Sequence, residues 1–230
     1  MTRMGSLFVA ALLTLAGVAK ADETVVVELF TSQGCSSCPP ADKFLHKLAA
    51  RDDVIALALH VDYWDYLGWK DAFASPANTE RQRAYARAKG ERTIYTPQMV
   101  VGGVDHVVGS RGMKVAELVQ KHADQKMPVS VQLQRSGDTV SIRATGGGTL
   151  PNMVVQLATY SPKEVVNVRR GENAGRKLTY HNVVKKLAPI GNWNGQGTYT
   201  ASANVAGGAP VAVLFQAGKG GPILGAAQLR

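Results

Sequence analysis

Thr24-Val-Val-Val-Glu-Leu-Phe-Thr-Ser-Gln-Gly-Cys-Ser-Ser-Cys-Pro-Pro-Ala-Asp42 is the stretch on which the reading of this chain turns. Residues 24–30 form a continuous β-branched run closed by the polar turn Thr31-Ser-Gln-Gly34, the pattern of a buried parallel strand. Cys35 and Cys38 follow it directly. Pro39 and Pro40 are tolerated only in the first turn of a helix, and Ala41, Phe44, Leu45, Leu48 and Ala49 then recur at amphipathic helical spacing. The order is strand, Cys-Ser-Ser-Cys, helix. A second apolar run, Val54-Ile-Ala-Leu-Ala-Leu-His-Val61, completes a βαβ unit.

Beyond it lies the turn-rich segment Asp62-Tyr-Trp-Asp-Tyr-Leu-Gly68. A helix is predicted from about Ser75 to Lys89, stopped at Gly90. Thr96-Pro97 opens a strand, Gln98-Met-Val-Val101, which Gly102-Gly103 joins to Val104-Asp-His-Val-Val108. A further helix follows, with Val115, Leu118, Val119 and His122 on one face. Past Met127-Pro128 the texture changes to short alternating runs at 129–135, 138–144, 152–160, 164–168, 178–187, 196–204, 210–217 and 223–229. They predict a β-sandwich of roughly 100 residues.

Upstream, Arg3 precedes the apolar run Leu7–Ala19 and the tripeptide Ala19-Lys20-Ala21, which reads as a signal peptide over residues 1–21 with an A-x-A cleavage site. That run is shorter than the roughly 20 residues a membrane span requires, and no later stretch is long and uncharged enough to span. The expectation is an exported protein, periplasmic or secreted, with no membrane span in its mature chain. With 45% apolar and 19% charged residues, the chain has the composition of a folded globular protein and not of a disordered or collagen-like one. The net charge of +9 comes from scattered bases, such as Arg169-Arg170 and Lys185-Lys186, without the stripe that nucleic acid demands. No nucleic-acid partner is expected.

The two cysteines carry the chemistry. In an oxidising compartment a structural disulfide joins distant segments, whereas a bridge across two residues constrains almost nothing, so the pair points to thiol chemistry. Only a thiolate attacks a disulfide, and a helix N-terminus, with its unpaired N–H groups and dipole, favours that anion. Cys35, expected at the start of the helix, would be the exposed nucleophile, and Cys38 the resolving thiol one turn inside. A Cys-x-x-Cys also fits half a zinc site, which would need ligands from His46, His60, His106, His122 and His181. Those histidines lack the usual tight spacing. Two soft thiolates suit Cu(I), for which Cys35, Cys38 and Met99 are the candidate ligands.

Over about residues 24–125 the strand, Cys-x-x-Cys, helix order and the later Thr96-Pro97 hairpin resemble the thioredoxin-like fold. That resemblance implies a cis bond before Pro97, packing of Pro97 against the disulfide, and pairing of a bound substrate with the Thr96 backbone. It also implies a buried acid on the strand before the cysteines that manages the resolving thiol's proton, and Glu28 is the candidate. Glu28 to Asp42, His60-Val-Asp-Tyr-Trp-Asp65, Tyr95-Thr-Pro-Gln-Met99 and Gly171-Glu-Asn-Ala-Gly175 resemble the exported bacterial proteins grouped as DUF1223, over nearly all of the mature chain.

The fold expected is therefore an α/β thioredoxin-like domain at 22–127 followed by an all-β sandwich-like domain at 128–230. The function expected is an exported thiol–disulfide oxidoreductase with no cofactor beyond its redox-active disulfide, acting on a protein or small-molecule thiol or disulfide. Catalytic candidates are Cys35, Cys38, Pro97 and Glu28. Thr96, Tyr63 and Trp64 are the groove candidates, since residues 60–65 follow the carboxyl end of a central strand, where open α/β sheets bind ligands. The blander reading of residues 60–65 is a core closure with solvated charges, and that of Gly171–Gly175 is a structural turn. The alternative function is a non-enzymatic binding or interaction module, with the thiols holding Cu(I) and the β region meeting a partner protein.

Overall fold

The computed structural model describes residues 18–21 and 24–230. Most of the expected signal peptide, residues 1–17, lies outside the described residues, and its end, Val18–Ala21, is strand β1. The expected βαβ unit forms. β2 (Val25–Thr31) and β3 (Val54–His60) pair in parallel, Val25 opposite Val54 and Thr31 opposite His60, with α1 (Pro39–Ala49) between them in sequence. Both strands are buried along their whole length, as their unbroken apolar runs require. α2 (Pro76–Ala88) starts at Ser75, whose hydroxyl accepts the Ala77 N–H. β4 (Gln98–Val101) lies antiparallel to β2 and turns through Gly102 and Gly103, both at positive φ, into β5 (Asp105–Val108), and α3 (Gly112–Ala123) follows.

The second half supplies β6 (Val129–Ser136), β7 (Thr139–Gly146), β8 (Met153–Asn167), β9 (Lys177–Trp193), β10 (Thr198–Asn204), β11 (Val211–Ala217) and β12 (Ile223–Leu229). One sheet has the order β1-β6-β7-β10 and the other β12-β11-β8-β9-β3-β2-β4-β5.

This architecture overturns the expectation of a thioredoxin-like α/β domain followed by an all-β sandwich-like domain. β9 pairs in parallel with β3 at Val183 and Ala58, so strands from both halves make one eight-stranded mixed sheet. The described residues are mostly β, with 44% of them in strands and 20% in helices. The physical reason lies in β11, where alternation suggests a single buried face but both faces are covered. Val213 and Phe215 pack with Val131, Leu133 and Ile142 of the small sheet. Ala212 and Leu214 enter the core of Val26, Ile55, Leu57 and Leu59. Two further strands prove longer than expected. β8 runs straight through Pro162, where the ladder passes from Ser161 opposite Val183 to Lys163 opposite His181, and β9 absorbs Pro189 and Gly191 beside a register shift. The β8–β9 hairpin thereby gains the reach that carries its connecting loop to α1.

Candidate active site at the amino end of α1

Cys35 and Cys38 are joined in a disulfide with Cα atoms 5.4 Å apart. The helix begins at Pro39, one residue past the second cysteine, so Cys38 is the N-cap and Cys35 lies in the turn before it. The Cys38 carbonyl accepts the N–H groups of Ala41 (2.8 Å) and Asp42 (3.1 Å). Cys35 is 1% exposed, which corrects the expectation of an exposed nucleophile. Ser36 and Ser37 are the exposed residues of the motif.

The loop between β8 and β9 packs on the backbone of this turn. Asn173 is fully buried, and its Nδ2 donates to the carbonyls of Gln33 (3.0 Å) and Cys35 (2.9 Å). Arg176 Nη1 donates to its Oδ1 at 2.7 Å, so the amide is satisfied at both ends. Glu172 Oε2 accepts the Ser36 N–H at 3.1 Å, and hydrogen bonding from Ser36, by its side chain first and its N–H second, holds the carboxyl below the usual range. Gly171 and Gly175, at φ 76° and 80°, turn the backbone at either end of the loop. Gly171–Gly175 is thus a turn, as its composition suggests, but one laid across the cysteine motif. Sequence spacing offers no hint of that placement.

Several expected groove residues meet here. A Cβ on Gly34 would lie 3.1 Å from Trp64 Cβ, which puts Trp64 against the residue before Cys35. Trp64 Nε1 donates to Thr96 Oγ1 at 2.7 Å. The Thr96–Pro97 bond is cis. A Cβ on Gly109 would lie 3.1 Å from Ala41 Cβ of α1 and 3.3 Å from Pro97 Cβ, so Pro97 stands beside the first turn of α1. Tyr63 is turned toward α2, where its hydroxyl donates to Gln82 Oε1 at 3.2 Å, and burial pushes its phenol up to about 12.

The candidate acid and the candidate metal ligand occupy other places. Glu28 belongs to the face of β2 that carries Val26 and Phe30, opposite the face that meets α1. Arg81 clamps its carboxylate through Nε (2.6 Å) and Nη2 (3.0 Å), and the Tyr85 hydroxyl donates to it as well. This ion pair joins β2 to α2 and sets the Glu28 carboxylate, expected to handle the resolving thiol's proton, on the face of the sheet away from α1. Met99 is fully buried in the apolar cluster with Leu29 and Val115. Among the described residues no group of three or more His, Cys, Asp or Glu is arranged to hold a metal ion.

The buried carboxyl on the cysteine side is Asp42, one helical turn past Cys38. Its Oδ1 accepts the Thr31 hydroxyl at 2.8 Å. Burial pushes it up to about 7, against the lowering effects of the His60 charge and the Thr31 hydrogen bond. Sequence does carry a signal for it: Asp42 falls within the stripe Ala41, Leu45 and Leu48, where a carboxylate is out of place. His60, one of the residues expected near the groove, is instead wholly buried and donates from Nδ1 to Asp71 Oδ2 at 2.7 Å. The same oxygen accepts the Gln33 N–H at 2.8 Å, tying this pair to the loop before Cys35.

With that geometry established, comparisons place the chain among known proteins. A family model described as protein of unknown function, DUF1223, matches residues 26–216. The search of curated proteins gives no match. Among solved structures, the chain is similar to the X-ray crystal structure of protein AGR_C_4864 from Agrobacterium tumefaciens. The two share 37% identity with a TM-score of 0.77, over 89% of this chain and 93% of that one.

Proposed function

Because this chain belongs to the DUF1223 family, whose description states no function, we propose an activity from the site itself: exported thiol–disulfide oxidoreductase. The observation that carries this reading is the Cys35–Cys38 disulfide at the start of α1, with the cis Thr96–Pro97 bond beside the first turn of that helix and a buried carboxyl, Asp42, one turn past Cys38. The leader-like start of the sequence supports export to the periplasm or the medium.

The chemistry balances without a cofactor. An incoming substrate thiolate attacks Cys35 Sγ, the Cys35–Cys38 bond breaks, and Cys38 leaves as a thiolate that takes the proton of Asp42. A second substrate thiolate then attacks the substrate sulfur of the mixed disulfide and releases Cys35. Two electrons pass from the substrate dithiol to the cysteine pair, and the reverse sequence reduces a substrate disulfide. Entry to Cys35 follows displacement of the Gly171–Gly175 loop. Trp64, Thr96 and Pro97 form the wall against which the substrate chain lies.

The test is equilibration of the pair with a glutathione redox series, read by thiol alkylation, with and without Cu(I). Exchange that Cys35→Ser abolishes is the expected result. A potential near about −120 to −180 mV would mark an oxidase or isomerase, and one near about −270 mV a reductase. A pair that resists exchange, or that copper alone protects from alkylation, overturns the reading in favour of a binding module.

A further inference from the structure

Asp42 has buried company that thiol exchange by itself does not require. Asp71 is saturated with donors: Gln33 N–H and His60 Nδ1 on Oδ2, and Phe73 N–H at 2.8 Å on Oδ1. Burial works against its charge, yet the His60 charge and these donors hold its carboxyl below the ordinary range. His60 Nδ1 therefore carries a hydrogen. Its other nitrogen, Nε2, is buried and has no hydrogen-bond partner among the described residues, and the Tyr180 hydroxyl is in the same position. The two rings meet edge to face at 4.7 Å, and Phe73 closes the imidazole from another side at 5.3 Å. The titratable and charged groups facing this cluster are Asp42 from α1, His60 from β3, Asp71 and Asp65 from the segment after β3, Tyr180 from β9 and Arg176 from the loop before it.

Asp42 accepts the Thr31 hydroxyl at 2.8 Å and Thr31 lies opposite His60 across β2 and β3, so Asp42 and the His60–Asp71 pair share one buried cluster. Two carboxyls there repel each other when both are ionised, so a second negative charge needs a positive one beside it. His60 is the group placed to supply it. Building on the oxidoreductase reading, we propose that His60, anchored by Asp71, is a positioning residue for the Cys38 proton: its positive charge, taken up at Nε2, balances the charge left on Asp42 when Asp42 gives up or awaits that proton. The proton itself passes between Cys38 Sγ and the Asp42 carboxyl. His60 touches neither the substrate nor the reacting sulfurs, and acts through Asp42.

The experiment follows the Asp42 carboxyl directly by carbon-13 NMR titration of the full oxidised chain. It compares the wild type with His60→Asn, whose amide keeps a donor for Asp71 but bears no charge, and with His60→Gln as a second variant should the first fold poorly. The expected result is an upward move of the Asp42 midpoint by about one pH unit, a tenfold loss of ionised Asp42 at a given pH below it. Release of a mixed disulfide by Cys38 should slow to a similar extent near neutrality. Asp42→Asn should slow it too, and adding His60→Asn to Asp42→Asn should cause no further change. An unmoved Asp42 midpoint in the folded His60 variants, or slowing that adds to that of Asp42→Asn, overturns the proposal. If the wild-type pair does not exchange at all, the oxidoreductase reading fails, while the titration still decides whether His60 sets the charge of Asp42.

Discussion

Asp42 sits in the buried stripe of α1, where its carboxyl loses water and gains one hydroxyl in return. Raised to about 7 in the folded protein from an ordinary value of 3.8, it binds its proton more tightly when folded than when unfolded. Its contribution to stability is therefore complete below the unfolded value and is lost as pH climbs through the folded one. From pH 5 to pH 8 the wild type is expected to lose about 2–3 kcal/mol relative to Asp42→Asn, because each pH unit between the unfolded and folded midpoints is worth about 1.4 kcal/mol. Urea unfolding of both proteins at the two pH values checks this, and parallel changes would show Asp42 to be ordinary. Asp71, held low, acts in the opposite sense in both proteins and cancels from the comparison. Glu28 supplies the contrast. Glu28→Gln is expected to leave the exchange rate of folded protein unchanged while costing about 3–5 kcal/mol, because it leaves the Arg81 charge buried without its partner. A large fall in exchange rate would instead return Glu28 to the site.

The β8–β9 hairpin is the element whose connecting loop is pinned to the backbone of the cysteine motif. Its loop holds the Gln33 and Cys35 carbonyls through Asn173 and sets the Glu172 carboxylate on the Ser36 N–H. Both contacts fix the backbone of the cysteine motif and must yield if that turn is to move during exchange. Asn173→Ala removes a donor from the Gln33 and Cys35 carbonyls, of which the latter keeps the Cys38 N–H at 3.2 Å, and is expected to destabilise the protein by about 1–3 kcal/mol. It should also speed reduction of the disulfide by limiting dithiothreitol severalfold, as followed by alkylation. An unchanged rate in folded Asn173→Ala would show that the loop does not govern access. The start of α1, in turn, is set by its two prolines, which begin the helix at residue 39 and leave Cys38 as its cap.

Across the whole molecule, the two halves share cores and a polar tie. Arg81 Nη1 donates to Gln156 of β8 and Gln216 of β11 while its other nitrogens hold Glu28 of β2, so one guanidinium links elements from both halves. Leu214, in the core built by β2, β3 and β11, is then a test of unity. Leu214→Ala is expected to cost about 2–5 kcal/mol and to lower a single transition seen alike by far-ultraviolet circular dichroism and by tryptophan fluorescence. Separate transitions would show that the halves unfold independently. The βαβ unit, the cysteines before a proline-led helix, the Thr96–Pro97 hairpin and most of the later strands were legible along the chain, because each is written in local periodicity and turn chemistry. What stayed hidden depended on contacts distant in sequence. Alternation in Val211–Ala217 could not reveal that its second face meets another core, and a glycine-bounded loop could not reveal that it lands on Cys35. By itself, the sequence determined the strand, the cysteine pair and the helix that follows, since these rest on residue type and spacing. Only the tertiary structure decided that Asp42, not Glu28, shares the cysteines' side of the sheet and that both cysteines are buried, since burial and charge are properties of what packs around a group.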